Sequence, residues 1–121
     1  MNDKVQFSNT FVENSIPVIR LTKSRNGKTG TATFLFIRPT FFQQKDFSEF
    51  FLEEIFLIWE KKKITSYDIQ IFFDKGKPFL LKVLFLFKNA NEWFFFLNFM
   101  NFYAKETGLS FDQFIQNEQN E

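Results

Sequence analysis

The chain predicts an α+β fold, a twisted antiparallel β-sheet built from hairpins with a long C-terminal helix packed against it. Three stretches carry that prediction. Two alternating runs flank Asn26-Gly27, two further strand-like runs flank Lys75-Gly76, and a helical pattern runs from Asn89 to Gly108.

The first hairpin spans Ile16 to Ile37. Asn26-Gly27 suits a two-residue type I′ turn, because both central residues then need positive φ. That turn sets Arg25 opposite Lys28, Thr22 opposite Thr31, Leu21 opposite Ala32 and Ile19 opposite Phe34. One face then carries Ile19, Leu21, Ala32 and Phe34; the other carries Arg20, Thr22, Thr31 and Thr33, with Val18 and Leu35 at its far end. A slip of one residue would put the apolar set in water, so the register is strongly specified. Gly27-Lys28-Thr29 imitates the end of a phosphate-binding loop, but the earlier glycine is missing and a β-branched run follows where that loop needs a helix.

The other elements follow in order. Val5-Gln6-Phe7 reads as a short strand and residues 8–15 as a polar loop. Pro17 enters the hairpin at a strand start, where no ladder bond is lost. Asp46-Phe47-Ser48-Glu49 has the character of a capping box and predicts a short helix. Ile55 to Trp59 and Ile64 to Ile69 read as strands joined through Glu60-Lys61-Lys62-Lys63, a solvated turn or else a patch for an acidic partner. Ile69 to Phe73 and Phe79 to Phe87 form the second hairpin. It is apolar on both faces, which predicts central, covered strands. Lys82 within it is expected to snorkel to the rim. Asn89 is placed as an N-cap with Glu92 three positions on, and Gly108 as the helix stop. Trp93, Phe96, Leu97, Met100, Tyr103 and Ala104 recur at helical spacing as the buried stripe. Residues 110–115 are expected to add a helical turn. Residues 1–115 read as one domain and 116–121 as a polar, acidic tail.

Composition narrows the chemistry. There is no cysteine and no histidine among the 121 residues. Disulfides, thiolate nucleophiles, zinc sites and the usual general base near neutral pH are excluded. The adjacent carboxylates Glu53 and Glu54 would point to opposite faces of a strand and make a poor catalytic pair. A net charge of +1 gives no broad electrostatic grip on nucleic acid or anionic lipid. Twelve lysines stand against three arginines and 22 residues are Phe, a skew toward AT-rich codons of the kind organelle genomes carry. The start of the chain reads as neither a signal peptide nor a transit segment, and the apolar run Trp93 to Ala104 is too short to span a bilayer.

Two binding modes remain. Gly30 to Phe36 has some likeness to the aromatic strand of RNA-binding sheets, although its basic start is missing. A sheet edge beside Arg20, Lys23, Arg25 and Lys28 suits strand addition by a partner polypeptide. The residues favoured for partner contact are Arg20, Thr22, Lys23, Arg25, Thr31 and Thr33, which cluster on the polar face and turn end of the first hairpin.

The residues Ile16-Pro17, Arg20 to Gly27, Thr29 to Phe34 and Phe36 resemble the signature of one family, the photosystem II assembly protein Psb-twenty-eight, also called the photosystem II W protein. The resemblance extends to Val5-Gln6-Phe7 and Glu13, to Gly76-Lys77-Pro78, and to Glu92-Trp93, Phe96, Phe99, Met100, Tyr103-Ala104 and Gly108-Leu109. It implies a soluble, non-catalytic accessory factor without pigment or other cofactor. It further implies transient attachment to immature photosystem II, near CP-forty-seven and D-one, at the stromal side of the thylakoid membrane. A partner loop is expected to extend its sheet. A plastid-encoded member fits the codon skew. The sequence departs from the family pattern at Thr10, Glu54 and Lys62, where glycine is usual, so the turn at Lys62 is expected to differ or be strained. It departs again at Phe94, Phe95 and Phe102, where charged residues are usual. These three read either as mutational drift or as an apolar docking patch.

Overall fold

The structure, a computed structural model, describes residues 4–7, 11–44, 52–109 and 112–115, the last four as backbone. Strands β3 (Val18–Lys23) and β4 (Gly30–Ile37) form the expected first hairpin. Their register is the one the alternation dictates: Ile19 opposite Phe34, Leu21 opposite Ala32, Thr22 opposite Thr31. The turn differs. Only Gly27 takes positive φ there, at 74°. Its N–H donates to the Ser24 carbonyl at 3.0 Å, and Ser24 N–H donates to Thr29 at 2.9 Å. Asn26 stays outside the left-handed region and works through its side chain. Its Oδ1 accepts from Lys28 N–H at 2.9 Å and from Ser24 Oγ at 2.7 Å. A side chain that satisfies the loop donors removes the need for two left-handed residues, so residues 25–28 form a four-residue loop.

The second hairpin comprises β7 (Asp68–Asp74) and β8 (Lys77–Phe87). Lys75 and Gly76 both hold positive φ, at 54° and 83°, the pairing that a two-residue primed turn requires. These strands extend the first hairpin into a sheet of order β7-β8-β4-β3-β9. The last member, β9 (Asp112–Ile115), runs parallel to β3, with Arg20 opposite Asp112 and Lys23 opposite Ile115. The helical turn expected for residues 110–115 is therefore replaced by a strand: the outer backbone groups of β3 offer a ladder that local propensity does not register.

One sheet was expected and two are present. The second has the order β2-β1-β5-β6, built from β1 (Lys4–Phe7), β2 (Phe11–Val12), β5 (Ile55–Trp59) and β6 (Lys62–Ser66). The stretch expected as a loop thus contains β2. Strand β1 pairs with β5, about fifty residues later, instead of joining the first hairpin. The β5–β6 turn is strained, but at Glu60 and Lys61, whose φ values are 50° and 67°; Lys62 already belongs to β6. Lys63 Nζ lies 4.4 Å from the centre of the Phe56 ring, so the lysine cluster serves packing as well as solvation. The helix predicted at Asp46 lies outside the described residues, but a 3₁₀ turn covers Thr40–Gln43.

Helix α1 (Ala90–Thr107) follows its sequence signals. Asn89 Oδ1 accepts from Glu92 N–H at 2.9 Å, and Gly108 closes the helix at φ 75°. Its buried residues are Trp93, Phe96, Phe99, Met100 and Tyr103; Leu97 and Ala104 are only half-buried. Both sheets and the helix share one core. The helix enters it through Trp93 and Phe96, which pack on Phe87 of β8. The Phe87 and Phe96 rings stack at 4.6 Å, and Phe96 meets Phe34 at 6.3 Å.

Gly30 fixes that junction. A Cβ there would stand 2.8 Å from two atoms of the Trp93 ring and would strike the Thr22 carbonyl. Neither the backbone of β3 nor a fully buried indole can retreat without unpacking the core. Gly30→Ala is expected to cost about 2–3 kcal/mol, the upper part of the range for overpacking. Urea unfolding followed by tryptophan fluorescence checks it.

Candidate interaction surfaces

The alternation of the first hairpin leaves one face of its sheet open to solvent. Arg20, Thr22, Thr31 and Thr33 meet on it, with Arg20 opposite Thr33 and Thr22 opposite Thr31. Arg20 is exposed and the threonines are half-buried. The face continues onto β8, where Thr33 stands opposite Leu84 and Thr31 opposite Leu86. Leu86 is 61% exposed. The covered strands expected from the apolar second hairpin therefore hold for one face only, and β7 is a border strand rather than a central one. Lys82 is half-buried between Leu35 and Gln70 on the open face.

Not every predicted contact residue joins that face. Lys23 has the parity of Leu21 and stands opposite Gly30, on the side of the sheet that receives α1. Arg25 lies in the four-residue loop and is exposed. The β3 border beside Arg20 and Lys23, expected as a receptive edge, is occupied by β9 from Arg20 to Lys23. The aromatic-platform reading loses its basis, since Phe34 and Phe36 point into the core and are fully buried.

The three unexpected phenylalanines of α1 separate in space. Phe95 meets the Trp59 ring edge-on at 5.9 Å, and Phe102 stacks on it at 5.5 Å. The second sheet thus covers a side of the helix that a single-sheet fold would leave wet. Phe94 is 54% exposed and Phe102 39%. Phe94→Lys is expected to leave stability within about 0.5 kcal/mol. Phe102→Lys is expected to cost about 1 kcal/mol or more through its lost stacking. Parallel thermal melts of the two variants check the contrast.

A polar device organises the opposite end of the first hairpin. Glu13 is 3% exposed, and its carboxylate accepts five hydrogen bonds. Ser15 N–H and Oγ donate to one oxygen at 3.0 and 2.6 Å. Thr40 N–H and Oγ1 donate to the same oxygen at 2.9 and 2.8 Å, and Phe41 N–H donates to the other at 2.9 Å. A buried carboxylate endures because its lone pairs are filled. Here it caps the 3₁₀ turn and ties it to the strand entry at Ser15. The turn forms one wall of a cleft of about 480 Å³, with Arg38, Pro39 and Phe42 on that side and Lys75, Lys77 and Pro78 on the other. None of the cationic cleft residues was given a contact role from the sequence, where Lys77 entered only through the Gly76-Lys77-Pro78 resemblance. The lysines flanking Gly76 were a visible signal, whereas Arg38 reaches the cleft only through tertiary folding.

The family model described as Psb28 protein matches residues 5–111. The chain belongs to the Psb28 family. It is 38% identical over 109 residues to the "Photosystem II reaction center Psb28 protein" of Cyanidioschyzon merolae, covering 90% of this chain and 96% of the relative. The protein of the same name from a Nostoc species is 38% identical over 110 residues, covering 91% and 97%. That from Guillardia theta is 34% identical over 107 residues, covering 88% and 92%. The first hairpin, Glu13, the cleft and α1 all lie within the residues matched by the Psb28 model, whereas β9 begins one residue beyond them. Among the described residues, no helix is long and apolar enough to cross a membrane.

Glu13→Gln exchanges one acceptor oxygen for an NH₂ group that faces donors. It is expected to destabilise the fold by about 2 kcal/mol. Amide exchange should accelerate first at Thr40 and Phe41, which hydrogen-exchange NMR checks.

Proposed function

We propose that this protein is a non-catalytic assembly factor that binds transiently to immature photosystem II, in the region of CP-forty-seven and D-one, at the stromal side of the plastid thylakoid membrane. The reading rests on one observation above others, the Psb28 match over residues 5–111, together with relatives whose names place them in photosystem II. Membrane association then comes through the complex. The chain acts by contact alone and uses no cofactor and no nucleic acid.

The open sheet face favours that role. Arg20 beside Thr33, and Thr22 beside Thr31, give a charged and hydroxyl-lined strip on a rigid scaffold. Strand addition remains available at β7, a border of its sheet with no strand neighbour on its outer side among the described residues. Partner backbone would then supply the grip, and the neighbouring side chains the selectivity.

Affinity capture from thylakoids with the tagged chain is expected to return CP-forty-seven and D-one. Arg20→Glu combined with Arg25→Glu should reduce that recovery several-fold while leaving the melting temperature unchanged. Undiminished recovery would exclude this face and the loop at its end, and capture without photosystem II subunits would exclude the role itself.

A further inference from the structure

We propose that the cleft between the end of β4 and the β7–β8 turn is a receptor for an acidic, extended polypeptide segment. The inference deepens the binding role proposed above and rests on it for the claim that the chain works by contact.

Charge is the first argument. Arg38, Lys75 and Lys77 line the cleft against a single carboxylate, Asp74. No ion pair joins these cations to another described residue. Three cations gathered in one recess contrast with a net charge of +1 for the whole chain. Shared low-dielectric walls strengthen their combined field.

The lining is also partly apolar. Pro39, Phe42 and Pro78 contribute rings beside the amide of Gln43. Such surfaces suit a backbone that is extended and makes no internal hydrogen bonds. On the open sheet face Ile37, 59% exposed, immediately precedes Arg38, and Phe72, 39% exposed, stands opposite Leu80, which also pairs with Ile37. They would receive an apolar side chain placed beside the acids. A volume of about 480 Å³ is much larger than a phosphate needs, and the cations come from two elements, Arg38 from the end of β4 and Lys75 and Lys77 from the β7–β8 turn.

The recess is built in advance. The buried Glu13 carboxylate holds the 3₁₀ turn that forms one wall. Arg38 N–H donates to the Phe79 carbonyl at 2.7 Å, joining the two walls. Arg38 holds left-handed backbone, with φ of 49°, and Lys75, with φ of 54°, does so as part of the β7–β8 turn.

The test titrates the ¹⁵N-labelled full chain with the capped peptide Pro-Glu-Asp-Phe-Glu-Pro and with its isostere Pro-Gln-Asn-Phe-Gln-Pro. Shift changes are expected at residues 38–43 and 74–79 with the acidic peptide only, and they should weaken as salt is raised. Lys75→Glu with Lys77→Glu should lower affinity at least tenfold, and Arg38→Gln about threefold, with the helix spectrum unchanged. Equal binding of the isostere, changes centred on Arg20 to Thr33, or no binding at millimolar peptide would overturn the proposal. So would the same perturbation produced by inorganic phosphate or by phosphatidylglycerol vesicles. Undiminished capture of photosystem II subunits by the Lys75→Glu, Lys77→Glu chain would remove the cleft while leaving the broader role intact.

Discussion

The fold depends on an atom that is missing. Gly30 has no side chain, and the Trp93 indole fills the space a Cβ would need. This contact seats the first turn of α1 on β4, at the point where the first hairpin begins its return strand. Phe87 and Phe96 then close around the indole. Because the helix is anchored there, its next turns reach across to the second sheet, where Trp59 receives Phe95 and Phe102. A bulkier residue at position 30 would lift the helix off both sheets together. Close approach of backbone and ring is a positional demand that only glycine meets.

The aromatic excess acquires a structural use in this setting. Phe7, Phe34, Phe36, Phe85, Phe96 and Phe99 are all essentially inaccessible. They meet largely through edge-on or stacked pairs, such as Phe7 with Phe36 at 5.3 Å and Phe34 with Phe85 at 5.3 Å. Ring quadrupoles favour these tilts, so a core rich in phenylalanine retains specific geometry. Packing gives these phenylalanines fixed places in the core. Polar organisation is correspondingly concentrated. Glu13 ties the entry of the first hairpin to the turn that follows it, and so sets the shape of the surface at that end.

Much of the local structure was legible. The hairpin register followed from period-two alternation, and the helix limits followed from Asn89, Glu92 and Gly108, because these signals act within a few residues. The Asn26 turn misled for an instructive reason. Asparagine supports either a left-handed backbone or a side-chain acceptor, and the dipeptide does not distinguish them. Of the candidate contact residues, Arg20, Thr22, Thr31 and Thr33 share a face as the alternation requires, whereas Lys23 falls on the opposite parity and Arg25 lies in the loop. The cleft was not legible. Arg38 and Lys75 are far apart in the chain and meet only because β4 pairs with β8, Ile37 opposite Leu80.

The sequence by itself determined the strands of the two hairpins, the buried face of the first hairpin, the caps of the helix and the lack of thiol and imidazole groups, since each follows from side-chain type and short-range spacing. Tertiary structure alone decided that the strands divide into two sheets, that β9 covers the border of β3, that Phe95 and Phe102 have a partner in Trp59, and that three cations share a recess. Those outcomes depend on which backbone edges and apolar faces find one another across the chain. Non-local pairing of that kind leaves no periodic trace in the sequence.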